Sequence, residues 1–214
     1  MIPFGHYEQD NNPGNGPEPI EWLVLDIQDG KALLLSKYGL EAKAYNTKFV
    51  DITWENCTLR TWLNGEFLAK AFSAEEQSAI LLTEVDNSDA QGFDWSIQTG
   101  EKNTTGGNNT EDRIFLLSYA EANRYLDVQY KQSNDNIKSR VAPTEYAIQN
   151  GAFVNDRTKT EEGGSSGDWW LRSPGTHQNY TTAVLSNGML WCGAVYADIG
   201  IVRPALWLVL NSGN

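Results

Sequence analysis

Two short apolar segments flank Asp29-Gly30, and this arrangement constrains the fold more than any other feature of the chain. Ile20 to Ile27 reads Ile-Glu-Trp-Leu-Val-Leu-Asp-Ile, and Lys31 to Lys37 reads Lys-Ala-Leu-Leu-Leu-Ser-Lys. Branched and aromatic side chains of this kind suit a pleated, half-buried backbone. Asp-Gly joins them well, because a tight hairpin turn needs positive φ at both central residues. The chain therefore begins, after a turn-rich loop over residues 8–19, with a β-hairpin. Its apolar runs are nearly continuous, which predicts burial on both faces.

Helical spacing follows. Leu59, Trp62, Leu63, Phe67 and Ala71 fall on one face of a helix over 59–71, with Thr58 as its cap. Ser73-Ala74-Glu75-Glu76 is a capping-box pattern that opens a second helix running to Leu82. Both are expected to pack on the hairpin. Residues 86–110 are a long polar loop, and Arg113 to Leu117 reads as a strand. Ser118-Tyr119-Ala120-Glu121 is another capping box, starting a helix to about Tyr130. Pro143 suits the first turn of a helix that stops at Asn150-Gly151. Residues 155–167 read as a polar loop.

The remainder is β-rich. Strands are expected over Asp168–Ser173, Thr181–Ser186, Met189–Val195 and Ala205–Leu210, with Asn187-Gly188 as a second tight hairpin turn. No repeat or linker interrupts the pattern. The fold class is α+β: one domain over residues 1–214, with an N-terminal β-hairpin and helices and a mainly antiparallel, β-rich C-terminal half.

Charge narrows the partners. The net charge is −12, and no Lys/Arg-rich face suggests nucleic-acid binding. An acidic balance also disfavours anionic membrane surfaces. No apolar run approaches the ~20 residues needed to span a bilayer, so no membrane insertion is expected. The start, Met1 to Tyr7, lacks the basic region and apolar core of a signal peptide. The chain as it stands reads as cytoplasmic, or as phage-borne or surface-exposed after processing.

Catalytic and metal chemistry find little support. The two histidines, His6 and His177, lack a nucleophile-elbow context. Two cysteines, Cys57 and Cys192, and two scattered histidines do not make a zinc site. Those cysteines read as buried free thiols, with a disulfide as the alternative. Gly163-Gly164-Ser165-Ser166-Gly167 precedes a strand, so it lacks the helix start of a phosphate cradle. Asp86, Asp89 and Asp94, or Glu111 and Asp112, have the right chemistry for calcium but not EF-hand spacing; solvated loop acids are the simpler reading. No cofactor and no catalytic residue is assigned.

The segment between Arg172 and Arg203 offers a binding surface instead. Thr176, His177, Gln178, Asn179, Tyr180, Asn187, Met189, Trp191, Tyr196 and Asp198 mix rings with small polar groups. Rings give rigid contact area at low entropic cost, and small polar side chains adapt their hydrogen bonds. The alternative is a set of turns whose aromatics fill the core.

Two C-terminal motifs, Trp169-Trp170-Leu171-Arg172-Ser173-Pro174-Gly175 and Val202-Arg203-Pro204-Ala205-Leu206-Trp207-Leu208, resemble those of a bacterial family of unknown function. Ile20 to Leu25, Ser36-Lys37-Tyr38 and Leu59 to Asn64 extend the likeness. That family looks related to the C-type lectin-like fold, in its formylglycine-generating-enzyme branch, which includes variable proteins of diversity-generating retroelements. The resemblance implies a rigid scaffold that displays ligand-contacting residues between Pro174 and Ile201. It implies that Arg172 and Arg203 are buried arginines stapling carbonyls or a carboxylate, and that Trp169, Trp170 and Trp207 are core. The cysteine pair of the copper-dependent enzyme of that branch has no counterpart here, and the sugar-binding triplets of calcium-dependent lectins are absent. The expected function is binding of a protein or glycan. The alternatives are a structural or assembly domain of a phage or surface protein, and an enzyme with a loop-borne site.

Overall fold

The computed structural model describes residues 1–131 and 136–210. In chain order the elements are β1 (Ile2–Tyr7), β2 (Glu18–Gln28), β3 (Lys31–Ser36), β4 (Glu41–Ala42), α1 (Thr58–Trp62), α2 (Leu68–Ala71), α3 (Ala74–Ala79), β5 (Thr83–Val85) and α4 (Ser96–Thr99). Then come β6 (Thr110–Asp112), α5 (Tyr119–Leu126), α6 (Glu145–Gln149), β7 (Asn155–Lys159), β8 (Ser165–Ser166), β9 (Trp169–Pro174), β10 (Tyr180–Val184), β11 (Leu190–Ala194), β12 (Ile201–Val202) and β13 (Ala205–Val209). The architecture is α+β and β-rich, with short helices around two main sheets.

Asp29 and Gly30 both adopt positive φ, 50° and 71°, so the first hairpin turns as its dipeptide requires. β1, which the sequence did not announce, adds to one side of this hairpin. The last strand, β13, adds to the other, pairing Leu206 with Leu34, and all pairings in this four-stranded sheet are antiparallel. β3 is buried on both faces as expected. In β2 only Ile20 and Trp22 are buried; beyond a bulge between Val24 and Asp26 the strand turns outward and Ile27 is exposed. Trp207, expected in the core, is half-buried. Alternation gives the interior to Leu206 and Leu208 and leaves the Trp207 ring under Lys31 Nζ at 5.1 Å.

The second sheet has the order β11-β10-β9-β12-β4, antiparallel except where β12 runs parallel to β9. α1 and α2 form one helical segment joined by a π-helical turn, Leu63–Phe67. Its cap is Cys57, whose Sγ accepts from Arg60 N–H at 3.4 Å; Thr58 Oγ1 instead accepts from Thr47 N–H. Both capping boxes form, at Ser73/Glu76 and Ser118/Glu121. α3 stops at Ala79, short of Leu82, because Ile80 bridges Leu208 and Leu81 N–H donates to Trp207 O. α5 stops at Leu126, where Asp127 takes φ 55°. The strand expected over Arg113–Leu117 is reduced to one bridge, Phe115 with Ala205, while the ladder partner of β5 is β6 just upstream. The polar stretch 155–167 carries the small β7–β8 pair.

Trp22, Trp54, Trp169, Tyr7, Phe67 and Phe115 are among the largest fully buried side chains. Each aromatic of this kind removes about 150–250 Å² from water, which at about 25 cal/mol/Å² makes such rings a principal source of stability. Among the described residues, no helix is long and apolar enough to cross a membrane.

Candidate ligand-display surface

The scaffold is anchored at Arg172 on β9, which is 3% exposed. Its Nη1 donates to Leu116 O at 2.7 Å and to Glu121 Oε2, Nη2 donates to Asp86 O and Glu121 Oε1, and Nε donates to Asn87 Oδ1. One guanidinium thus ties β9, α5 and the loop after β5 together. Burial alone would raise the Glu121 carboxyl, but Arg172 and the hydrogen bonds from Ser118 outweigh it and hold Glu121 below the usual carboxylate range. A bulge in the β9–β10 pairing is stitched by hydroxyls: Thr181 Oγ1 donates toward Leu171 O and Ser173 O, and Thr182 Oγ1 donates to Ser173 O at 2.8 Å.

Trp169 and Trp170 are core, as expected. Trp169 Nε1 donates to Ser139 O, and Trp170 Nε1 to Lys43 O. Gly200 lies flat on the Trp170 ring; a Cβ there would fall 2.0 Å from it. This contact presses the 195–200 turn onto the scaffold. Lys43 N–H donates to Gly200 O, and Asn46 N–H to Val195 O at 2.7 Å, so the loop after β4 runs beside that turn.

The loop carries a surface that sequence reasoning missed. Phe49 meets Tyr196 at 5.0 Å between ring centroids and Tyr180 at 6.1 Å, and His177 lies 5.7 Å from Tyr180. Phe49, Val50 and Tyr196 are exposed, and Tyr180 is half-buried. Asp198 and Ile199 are exposed on the adjoining turn. The signal in the sequence was Phe49-Val50 set between Lys48 and Asp51, an apolar pair among polar residues. Nothing local distinguishes such a pair from a core contact.

The other expected contact residues divide. Trp191 is exposed but belongs to a separate ring cluster: it stacks on Tyr130 at 6.1 Å and meets Trp95 edge-on at 6.2 Å, with Phe93 behind. Gln178 is a brace: its side-chain amide donates to Ile52 O and Thr105 O, and its Oε1 accepts from Thr105 N–H. Asn187 Oδ1 accepts from Met189 N–H inside the hairpin turn, which docks through Gly188 O on Ser139 Oγ. Thr176 Oγ1 contacts His177 Nδ1 at 3.1 Å and Cys192 Sγ at 3.6 Å. Asn179 and Met189 are half-buried.

Arg203 departs from the expected staple. It is 2% exposed, lies over Trp169 at 5.0 Å, and Nε donates to Ser36 O at 3.0 Å, but Nη1 has no partner.

All but one of the acids considered for calcium have donors of their own. Asp86 accepts from Ser88 N–H and Gln91, Asp89 pairs with Lys102, and Asp94 accepts from Ser96 N–H. Asp112 is fully buried, accepting from Trp54 Nε1, Thr110 Oγ1 and Arg60 Nε at 2.9, 2.7 and 2.6 Å. Glu111 faces solvent across from Glu84. Glu8, Asp10 and Glu18 do gather oxygens within 4.8 Å, yet each accepts from loop groups, including Asn12 and Gln9 N–H. Both cysteines are free and buried, and burial pushes the Cys57 thiol up to about 12.

No curated protein and no solved structure matches the chain. A model of the family described as "Domain of unknown function (DUF6273)" matches residues 29–210, most of the chain, and the protein belongs to that family.

Proposed function

We propose that this is a non-enzymatic, ligand-binding domain of C-type lectin-like type that presents the surface around Phe49, His177, Tyr180, Tyr196 and Asp198 to a protein or glycan. One observation carries the reading. Phe49, Val50 and Tyr196 form an exposed apolar group beside polar side chains, on two turns hydrogen-bonded to each other. Exposed aromatic groups rimmed by polar residues mark interaction sites, and aromatic anchors dominate binding energy at interfaces.

The test is an array of glycans and displayed surface proteins, probed with the native domain and with a Phe49→Ser/Tyr196→Ser variant. Binding should fall at least tenfold in the variant while its fold persists. Sedimentation of the native domain separates the assembly reading, which requires a dimer that the same variant dissolves.

A further inference from the structure

A cavity of about 290 Å³ opens beside β2 and β3, lined by Leu23, Tyr38, Lys138, Arg140, Ala142 and Arg203 among others. This is near the small end of ligand pockets. Of its lining residues Arg203 alone is buried.

The two buried arginines of this protein make a controlled comparison. Arg172 has five hydrogen bonds, two of them to Glu121. Arg203 has one, from Nε to Ser36 O, with the flat of its guanidinium on Trp169. Among the described residues no carboxylate lies within salt-bridge reach of it, and Nη1 is buried without a partner. A guanidinium offers five donors, and buried charges are ordinarily paired. Burial without compensation pushes Arg203 down to about 9.

The surroundings fit an anion. Lys138 and Arg140 bring two further cations to the lining of a chain whose net charge is −12, while Lys37, also there, is paired with Glu21 at 2.9 Å and with Glu162. The acids there are Glu161 and Glu162, and Glu162 is engaged by Lys37 at 3.0 Å and by the Tyr38 hydroxyl at 3.2 Å. Leu23, Ala142 and Ile137 supply apolar wall.

We propose that this cavity binds a small monocarboxylate, whose oxygens accept from the unpartnered Nη edge of the Arg203 guanidinium while its apolar body packs on Leu23, Ala142 and Ile137. Charge-assisted pairing of carboxylate with guanidinium is strong and directional, and here it would neutralise a charge the fold leaves uncompensated.

The experiment titrates the intact domain with benzoate, inorganic phosphate and neutral benzamide, each to about 20 mM, as befits an expected millimolar affinity. It follows the Arg203 Nε–H resonance and the melting midpoint. Benzoate is expected to shift the resonance saturably and raise the midpoint, with benzamide inert and phosphate weaker. Leu23→Trp, which fills the cavity from a half-exposed strand position and leaves Arg203 intact, should abolish the shift with an unchanged unliganded midpoint. Lys138→Glu, a fully solvent-side change, should weaken benzoate several-fold. No benzoate response, an equal response to benzamide, or undiminished binding in Leu23→Trp each overturns the proposal.

Discussion

Phe49 and Tyr196 meet edge-on at 5.0 Å between ring centroids, at 67° between their planes, while remaining 50% and 55% exposed. Folded proteins normally bury rings of this size. Two from distant parts of the sequence, touching each other in water, are held there by the turns that carry them. Those turns are pinned by Asn46 N–H to Val195 O and Lys43 N–H to Gly200 O.

If these rings serve recognition and not stability, removing them should leave the fold intact. Phe49→Ser and Tyr196→Ser are each expected to change unfolding free energy by no more than about 0.5 kcal/mol, the range for surface positions. Urea denaturation of the two single variants measures this directly.

Arg172 is the opposite case. Arg172→Met leaves the Glu121 carboxylate without its cation; breaking a fully buried pair from one side costs about 3–5 kcal/mol, and the cost here is smaller because the Glu121 side chain is 28% exposed. The pair also sets an acid limit. Glu121 is held below its unfolded value of about 4.3, so its contribution is complete above that pH and is lost as pH falls through the folded pKa. Glu121→Gln should therefore flatten the acid side of the melting-midpoint profile and lower the midpoint at neutral pH.

Asp112 gathers four donors in a fully buried position: Trp54 Nε1, Thr110 Oγ1, Arg60 Nε and Asn64 Nδ2. Asp112→Leu would strand them, at about 1–3 kcal/mol for each unsatisfied group. Loss of cooperative unfolding, followed by near-ultraviolet circular dichroism, is expected. Asp112→Asn keeps one acceptor and should destabilise less.

Gly200→Ala places a methyl group 2.0 Å from the Trp170 ring. Overpacking of this kind costs about 1–3 kcal/mol. Because the 195–200 turn carries Tyr196, the variant is expected to weaken ligand binding as well as lower the melting midpoint, unlike Tyr196→Ser, which should affect binding alone.

Legibility followed the range of the forces. Asp29-Gly30, Ser73/Glu76 and Ser118/Glu121 are local devices, and each forms where its residues stand. The buried staple at Arg172 was implied by the resemblance of its motif alone, and its partners Asn87, Leu116 and Glu121 come from elsewhere in the chain. Element ends set by distant pairing were not legible: α3 stops because Ile80 meets Leu208, and Trp207 faces outward because Leu206 and Leu208 take the interior. Phe49 reached the candidate site for the same reason, through a loop whose position depends on Val195 and Gly200. Gln178 reads like a contact residue and proves to be a brace, since its bonds to Ile52 and Thr105 are non-local.

The most direct measurement is the binding array, probed in parallel with the native domain and with Phe49→Ser/Tyr196→Ser at matched folded concentration. The account predicts at least one glycan or protein that the native domain retains and the double variant loses by tenfold or more. Ligands held equally well by both, or none held by either, would contradict it.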